Sequence, residues 1–170
     1  MEFTILLGTA REGRRSEQVA RFVEKTLTSE GHQVDFVDVR DYLDVTSKMG
    51  GAPLSDPIGS KWREIVAQKK TLIIVSPEYN HSYPGELKRL IDAAYPEYKG
   101  KHVGIIGVSM GPFGGARMIE QLQLVLVAVG ALMPRSGMIF PFVQELFDDG
   151  GEIKDPAYKD RVINFIKTFD

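Results

Sequence analysis

Short apolar runs punctuate the chain, and between them apolar residues recur at helical spacing. The clearest run, Leu72-Ile73-Ile74-Val75, is unbroken and rich in β-branched residues. That is the pattern of a strand buried on both faces of a parallel sheet. It stops at Ser76-Pro77, where proline removes a backbone donor. A polar, aromatic loop from Glu78 to Tyr83 follows. Pro84-Gly85 then open a helix with Leu87, Leu90, Ile91 and Ala94 at helical spacing. Phe3 to Leu7, closed by Gly8, predicts the first strand, and the alternation from Val34 to Val39 the second. Val103 to Val108, interrupted by glycine, predicts the fourth, and Leu132 to Phe140, interrupted by Pro134, the fifth.

The intervening segments predict helices. Ser16 offers an N-cap to a helix marked by Val19, Phe22, Val23 and Leu27 and ending near Gly31. Ile58 to Gln68 turns Trp62, Ile65 and Val66 inward. Ala116 to Val129 is apolar nearly all round in its second half (Leu122, Leu124, Val125, Leu126, Val127), so it must be covered on more than one side. A subunit interface is a natural second cover in a chain of this size. The closing segment places Tyr158, Val162, Phe165, Ile166 and Phe169 on one helical face. Residues 40–57 hold no clear period, and a connection of that length can be a lid, an interface or simply mobile.

Five strands alternating with five helices predict an α/β fold, a doubly wound parallel sheet of order 2-1-3-4-5 with helices on both faces. Its switch point falls between the first and third strands. The loops after strands one, three and four therefore gather at one edge, where such sheets bind ligands. At 170 residues the chain reads as a single domain, 1–170.

Composition narrows the chemistry. A net charge of −2 gives no electrostatic case for nucleic acid or an anionic membrane. No apolar stretch is long enough to span a bilayer, and the N-terminal run is too short for a signal peptide, so the expectation is a cytoplasmic protein. With no cysteine there is no disulfide, thiolate metal site or thiol nucleophile. His32, His81 and His102 are scattered, metal-ligand spacing is absent, and no Gly-x-Ser-x-Gly elbow occurs. Any catalysis would therefore rest on a cofactor.

The gathered loops suit one. Gly8-Thr-Ala-Arg-Glu-Gly-Arg-Arg-Ser16 joins a strand to a helix N-terminus, where free amides and the helix dipole favour an anion. Arg11, Arg14 and Arg15 can each add charge-assisted hydrogen bonds to a phosphate. A Walker A loop needs Lys then Ser/Thr after its second glycine, and Arg14-Arg15 stand there. The dinucleotide fingerprint needs three spaced glycines, and only Gly8 and Gly13 are present, which leaves a mononucleotide-type phosphate. Tyr79, Tyr83 and Asn80 in the second loop suit a flat heteroaromatic ring. Gly111, Gly114 and Gly115 in the third permit close backbone approach from the other side.

Three strings, taken together, resemble the NADPH-dependent FMN reductase family, which includes quinone, azo-dye and chromate reductases. They are Gly8-Thr9-Ala10-Arg11…Ser16, Pro77-Glu78-Tyr79-Asn80…Pro84-Gly85…Leu87-Lys88…Asp92, and Ser109-Met110-Gly111…Gly114-Gly115-Ala116-Arg117. The resemblance spans residues 1 to about 140, and Pro-Glu-Tyr-Asn is its most specific part. It implies a flavodoxin-like fold holding FMN. Phosphate contacts would fall to Thr9, Arg11, Ser16 and Gln18, the isoalloxazine to Pro77, Glu78, Tyr79 and Asn80, and the glycine loop contributes Ser109, Gly111 and Gly114. Arg14 joins the candidates as one of the loop's three arginines. Family first loops often read Gly-Ser-x-Arg-x-x-Ser; here Thr9 replaces the serine and Ser16 comes two residues later.

The function this implies is an oxidoreductase passing a hydride from NADPH or NADH through FMN to a small acceptor such as a quinone, free flavin, azo compound or metal oxyanion. No side-chain acid or base is needed for that step, and no catalytic residue is named. Family members are usually dimers or tetramers, in keeping with the apolar helix. The alternatives are a flavodoxin-type electron carrier, whose usual strong acidity this chain lacks, and a flavodoxin-fold module that binds a ligand without catalysis.

Overall fold

A computed structural model describes residues 1–45, 56–134 and 136–169. The five strands are β1 (Glu2–Leu7), β2 (Gln33–Asp38), β3 (Thr71–Pro77), β4 (His102–Val108) and β5 (Met138–Phe140). They pair in parallel in the order β2-β1-β3-β4-β5. The fold is thus the doubly wound sheet that the alternation predicts. The irregular connection over residues 40–57 lies mostly outside the described residues. Its first part is a 3₁₀ turn, Val39–Tyr42, capped by the Asp38 carboxylate on the Arg40 amide.

Period-two alternation sorts the strands between two cores. Phe3, Ile5, Leu7, Ile73, Val75, Ile106 and Val108 face α1 (Ser16–Ser29) and α6 (Ala157–Ile166). Leu6, Leu72, Ile74, Val103 and Ile105 face α2 (Pro57–Gln68), α3 (Gly85–Ile91) and α4 (Ala116–Ala128). A one-turn helix, α5 (Val143–Leu146), follows β5. On the second face Trp62 and Tyr98 are both fully buried, and the indole Nε1 donates to the phenol oxygen at 3.0 Å. α2 starts where Asp56 accepts from the amides of Ile58 and Gly59, with Pro57 in the first turn.

Two expectations change. The fifth strand is only Met138–Phe140, because Pro134 cannot donate to a ladder; Leu132 makes just an isolated bridge to His102. Ser16 does not cap α1. Arg15 before it already has helical dihedrals, φ −70° and ψ −23°, so Ser16 is the first helical residue and no side chain caps the end. In α4, Leu122 and Leu126 are buried, but Leu124 and Val127 are 68% and 61% exposed, so this chain covers only one side of that helix.

Candidate functional site

Parallel strands all point one way, so the loops leaving β1, β3 and β4 meet at the C-terminal edge of the sheet. Between them lies a cavity of about 350 Å³. Arg11, Gly13, Arg14, Arg15 and Ser16 line it from the first loop, Pro77, Glu78 and Tyr79 from the second, and Val108, Ser109 and Met110 from the third, with Val143 of α5. That volume lies within the range of small-molecule and cofactor sites, roughly 300–1,000 Å³.

The first loop contains the site's most telling atom. Ser16 is 2% exposed, and its hydroxyl has no hydrogen-bond partner. It sits on the first residue of α1, where the amides of Gly13, Arg15 and Ser16 make no bond to protein among the described residues. A buried hydroxyl beside orphan amides and the positive end of a helix dipole fits a phosphate.

The arginines divide by their partners. Arg14 is folded under the loop: Nε donates to Glu17 at 3.1 Å, Nη1 to Asp38 Oδ1 at 2.8 Å and to the Thr9 carbonyl at 2.5 Å, and Nη2 to Asp38 Oδ2. Its hydrogen bond to Asp38 raises the guanidinium pKa against the opposing effect of burial. Burial alone would push the Asp38 carboxyl up; the hydrogen bonds from Arg14 and the Arg40 amide, with both charges, hold it below the ordinary aspartate value. Arg11 has no ion-pair partner among the described residues, and Arg15 reaches only Gln18, at 3.5 Å. Those two are the free cations of the loop.

The second loop is a small hairpin. Tyr79 and Ser82 exchange backbone hydrogen bonds at 2.8 and 2.9 Å around Asn80 and His81, both left-handed at φ 50° and 66°. This turn places Asn80 at an exposed tip, while Pro77, Glu78 and Tyr79 stay on the cavity wall. The Tyr79 hydroxyl lies 2.8 Å from Thr9 Oγ1, which also donates to Glu86 Oε1 at 3.2 Å. Glu86 further accepts the Ala10 amide at 2.9 Å, so α3 is stitched to the first loop, and Tyr79 ties the second loop to the same Thr9. Glu78 Oε1 accepts from Arg117 at 3.3 Å, and its Oε2 is buried with no partner.

The third loop is held from behind. The Ser109 amide donates to the Phe140 carbonyl, Phe142 to Gly111 and Val143 to Ser109. Gly115, at φ 89°, comes so near β4 that a Cβ would meet the Val108 nitrogen at 2.7 Å, which only glycine tolerates.

Of the residues singled out from the sequence, Arg11, Arg14, Ser16, Pro77, Glu78, Tyr79 and Ser109 meet on the cavity wall. Thr9 is fully buried behind it, Gln18 lies on the first turn of α1, and Gly114 packs against Ile139 and Pro141. Gly111 is on the rim through its bonds to Ser109 and Phe142. Sequence reasoning missed Asp38, Arg40 and Glu86. An aspartate closing the strand next to an arginine-rich loop was a legible signal for the first; Glu86 offered none.

A family model described as NADPH-dependent FMN reductase matches residues 1–144. A quinone reductase of Escherichia coli is 29% identical, with 99% of this chain and 93% of that protein aligned. An NAD(P)H-dependent FMN reductase of Saccharomyces cerevisiae is 29% identical over 74% of this chain and 73% of its own length. Among solved structures, the flavoenzyme NAD(P)H:acceptor oxidoreductase of Paracoccus denitrificans superposes with a TM-score of 0.78 at 23% identity, covering 99% of this chain and 94% of that one. A flavodoxin of Pseudomonas aeruginosa reaches 0.64 at 18% identity, covering 99% of each chain. These two likenesses show the fold.

Proposed function

The chain belongs to the NADPH-dependent FMN reductase family, and from that premise we propose that it is an FMN-dependent oxidoreductase that takes reducing equivalents from NAD(P)H to quinones. FMN held in the cavity would supply the redox chemistry, accepting a hydride from NAD(P)H and reducing the acceptor. The observation that carries this reading is the buried, unpartnered Ser16 hydroxyl at the start of α1, inside a cavity bounded by the three loops.

The phosphate is assigned to Ser16 Oγ, the amides of Gly13, Arg15 and Ser16, and the guanidinium groups of Arg11 and Arg15. Arg14 shapes the loop from beneath, and Thr9 and Gln18 support it. The ring is assigned to Pro77, Glu78, Tyr79 and Asn80 on one side and Ser109, Gly111 and Gly114 on the other. The buried Glu78 Oε2 and the hydroxyl of Ser109 offer polar partners to the ring edge. Met110 and Phe113, 64% and 54% exposed in the third loop, give an apolar planar acceptor a surface to rest on. Azo compounds and metal oxyanions are further acceptors within reach of the same chemistry.

Among the described residues no helix is long and apolar enough to cross a membrane. Dependence on NAD(P)H, which cells keep inside, supports a cytoplasmic location. The exposed Leu124 and Val127 of α4, with Leu132 beside them, support a homodimer or homotetramer.

The test is anaerobic absorbance of the protein reconstituted with FMN, before and after NADPH. Flavin bands that bleach within seconds, and return on adding a quinone, support the reductase. Flavin that binds but stays oxidised supports an electron carrier instead. No binding at micromolar FMN overturns both.

A further inference from the structure

The amides of a phosphate loop are useful only while they face the anion. Each peptide plane has its C=O and the following N–H on opposite edges. A loop free to rotate would present carbonyl oxygens as readily as amides, and carbonyls repel a phosphate. The planes that lead into the anion-facing amides must be fixed too: the amides of Ala10 and Arg11 are spent on Glu86 and Thr9 Oγ1, so what remains is to hold the carbonyl edges of this entry segment.

Here three successive carbonyls of the first loop are each held by a guanidinium. Arg14 Nη1 donates to the Thr9 oxygen at 2.5 Å, Arg40 Nε to the Ala10 oxygen at 3.1 Å, and Arg40 Nη2 to the Arg11 oxygen at 2.7 Å. Arg40 belongs to none of the three loops. It comes from the 3₁₀ turn after β2, and it is absent from the cavity wall. Its position is set by Asp38, whose Oδ1 accepts the Arg40 amide at 2.9 Å while the same carboxylate grips Arg14. The β1–β2 register pairs Asp38 with Leu7, one residue before Gly8, so the carboxylate stands where the first loop begins.

We propose that Arg40 is a positioning residue for the phosphate loop: its guanidinium fork fixes the Ala10 and Arg11 carbonyls and thereby turns the following backbone, and the Arg11 side chain, toward the anion. This rests on the reading of the cavity as an FMN site. The planar fork is what the task requires, because Nε and Nη2 reach two adjacent carbonyls at fixed separation. A lysine ammonium carries the same charge but is a single point on a flexible stem. The role is therefore geometric, and it is separable from the attraction of a positive charge for phosphate.

The experiment compares FMN with riboflavin, which lacks the phosphate, in fluorescence titrations of the full chain freed of flavin. Wild type, Arg40→Lys and Arg40→Ala are measured at low and at high salt, with urea unfolding of each alongside. Both variants should bind FMN about tenfold more weakly, the scale of losing hydrogen bonds to a charged group. Riboflavin affinity should stay at the wild-type value, and the FMN loss should persist in high salt. Full affinity in Arg40→Lys would make the effect one of charge and overturn the proposal. An equal loss for FMN and riboflavin would mean general loosening and overturn it as well, as would unchanged FMN binding in both variants. Failure of the wild type to bind FMN at all would instead overturn the reading of the site itself.

Discussion

Replacing Asp38 tests whether the first loop is built on a buried ion pair. The Arg14 side chain is 2% exposed and makes four hydrogen bonds, two of them to Asp38 and the others to Glu17 and the Thr9 carbonyl. Removing one partner of a fully buried pair costs about 3–5 kcal/mol, because the remaining charge is left without compensation. Asp38 is 23% exposed and Glu17 stays in place, so the cost falls to the bottom of that range or below it. Asp38→Ala should lose about 2–3 kcal/mol, and Asp38→Asn, which keeps one acceptor, about 1 kcal/mol.

The pH dependence gives a sharper reading. Asp38 titrates below its ordinary value of 3.8 in the folded chain. A group with a depressed folded pKa contributes stability above its unfolded pKa and loses it as pH falls through the folded one. Urea unfolding should therefore show a constant gap between wild type and Asp38→Asn from neutral pH down to about pH 5, closing on further acidification. A gap that persists unchanged in acid, or no gap at neutral pH, refutes the buried-pair argument.

Four further outcomes follow from the same geometry. Ser16→Ala removes the one buried hydroxyl without a partner in the first loop, and should weaken FMN binding about tenfold or more while sparing riboflavin, read by fluorescence titration. Tyr98→Phe strands the Trp62 Nε1 donor in a fully buried site, and should lower stability by about 1–3 kcal/mol in urea unfolding. In the wild type, burial pushes the Tyr98 phenol far above its ordinary range, so its phenolate absorbance should emerge only as alkali unfolds the chain. Under the proposed assembly through α4, Leu124→Lys with Val127→Lys should reduce the mass measured by light scattering with circular dichroism unchanged; an unchanged mass would overturn that use of α4.

Local patterning determined a great deal by itself. The run from Leu72 to Val75 needs no partner to be read as a buried strand, because period and β-branching are properties of neighbouring residues. The same holds for α1, α2 and α6, and the crossover rule then leaves few sheet orders, among them the observed one. The loops that line the cavity are legible too, since they follow the C-terminal ends of strands one, three and four.

What the chain alone could not decide is where a long polar side chain spends its hydrogen bonds. Arg11, Arg14 and Arg15 are equivalent in sequence, yet Arg14 is committed to Asp38, 24 residues away, and only the β1–β2 register brings that carboxylate beneath the loop. Ser16 reads as a cap, and becomes a buried free hydroxyl because the preceding residue is already helical. Glu86 and Arg40 join the site from segments with no chemical pattern of their own. Periodicity is set by neighbours within a few residues, whereas these contacts join segments that packing alone brings together. The elements were therefore written locally, and the tertiary structure chose which of the loop's arginines is bound into the scaffold.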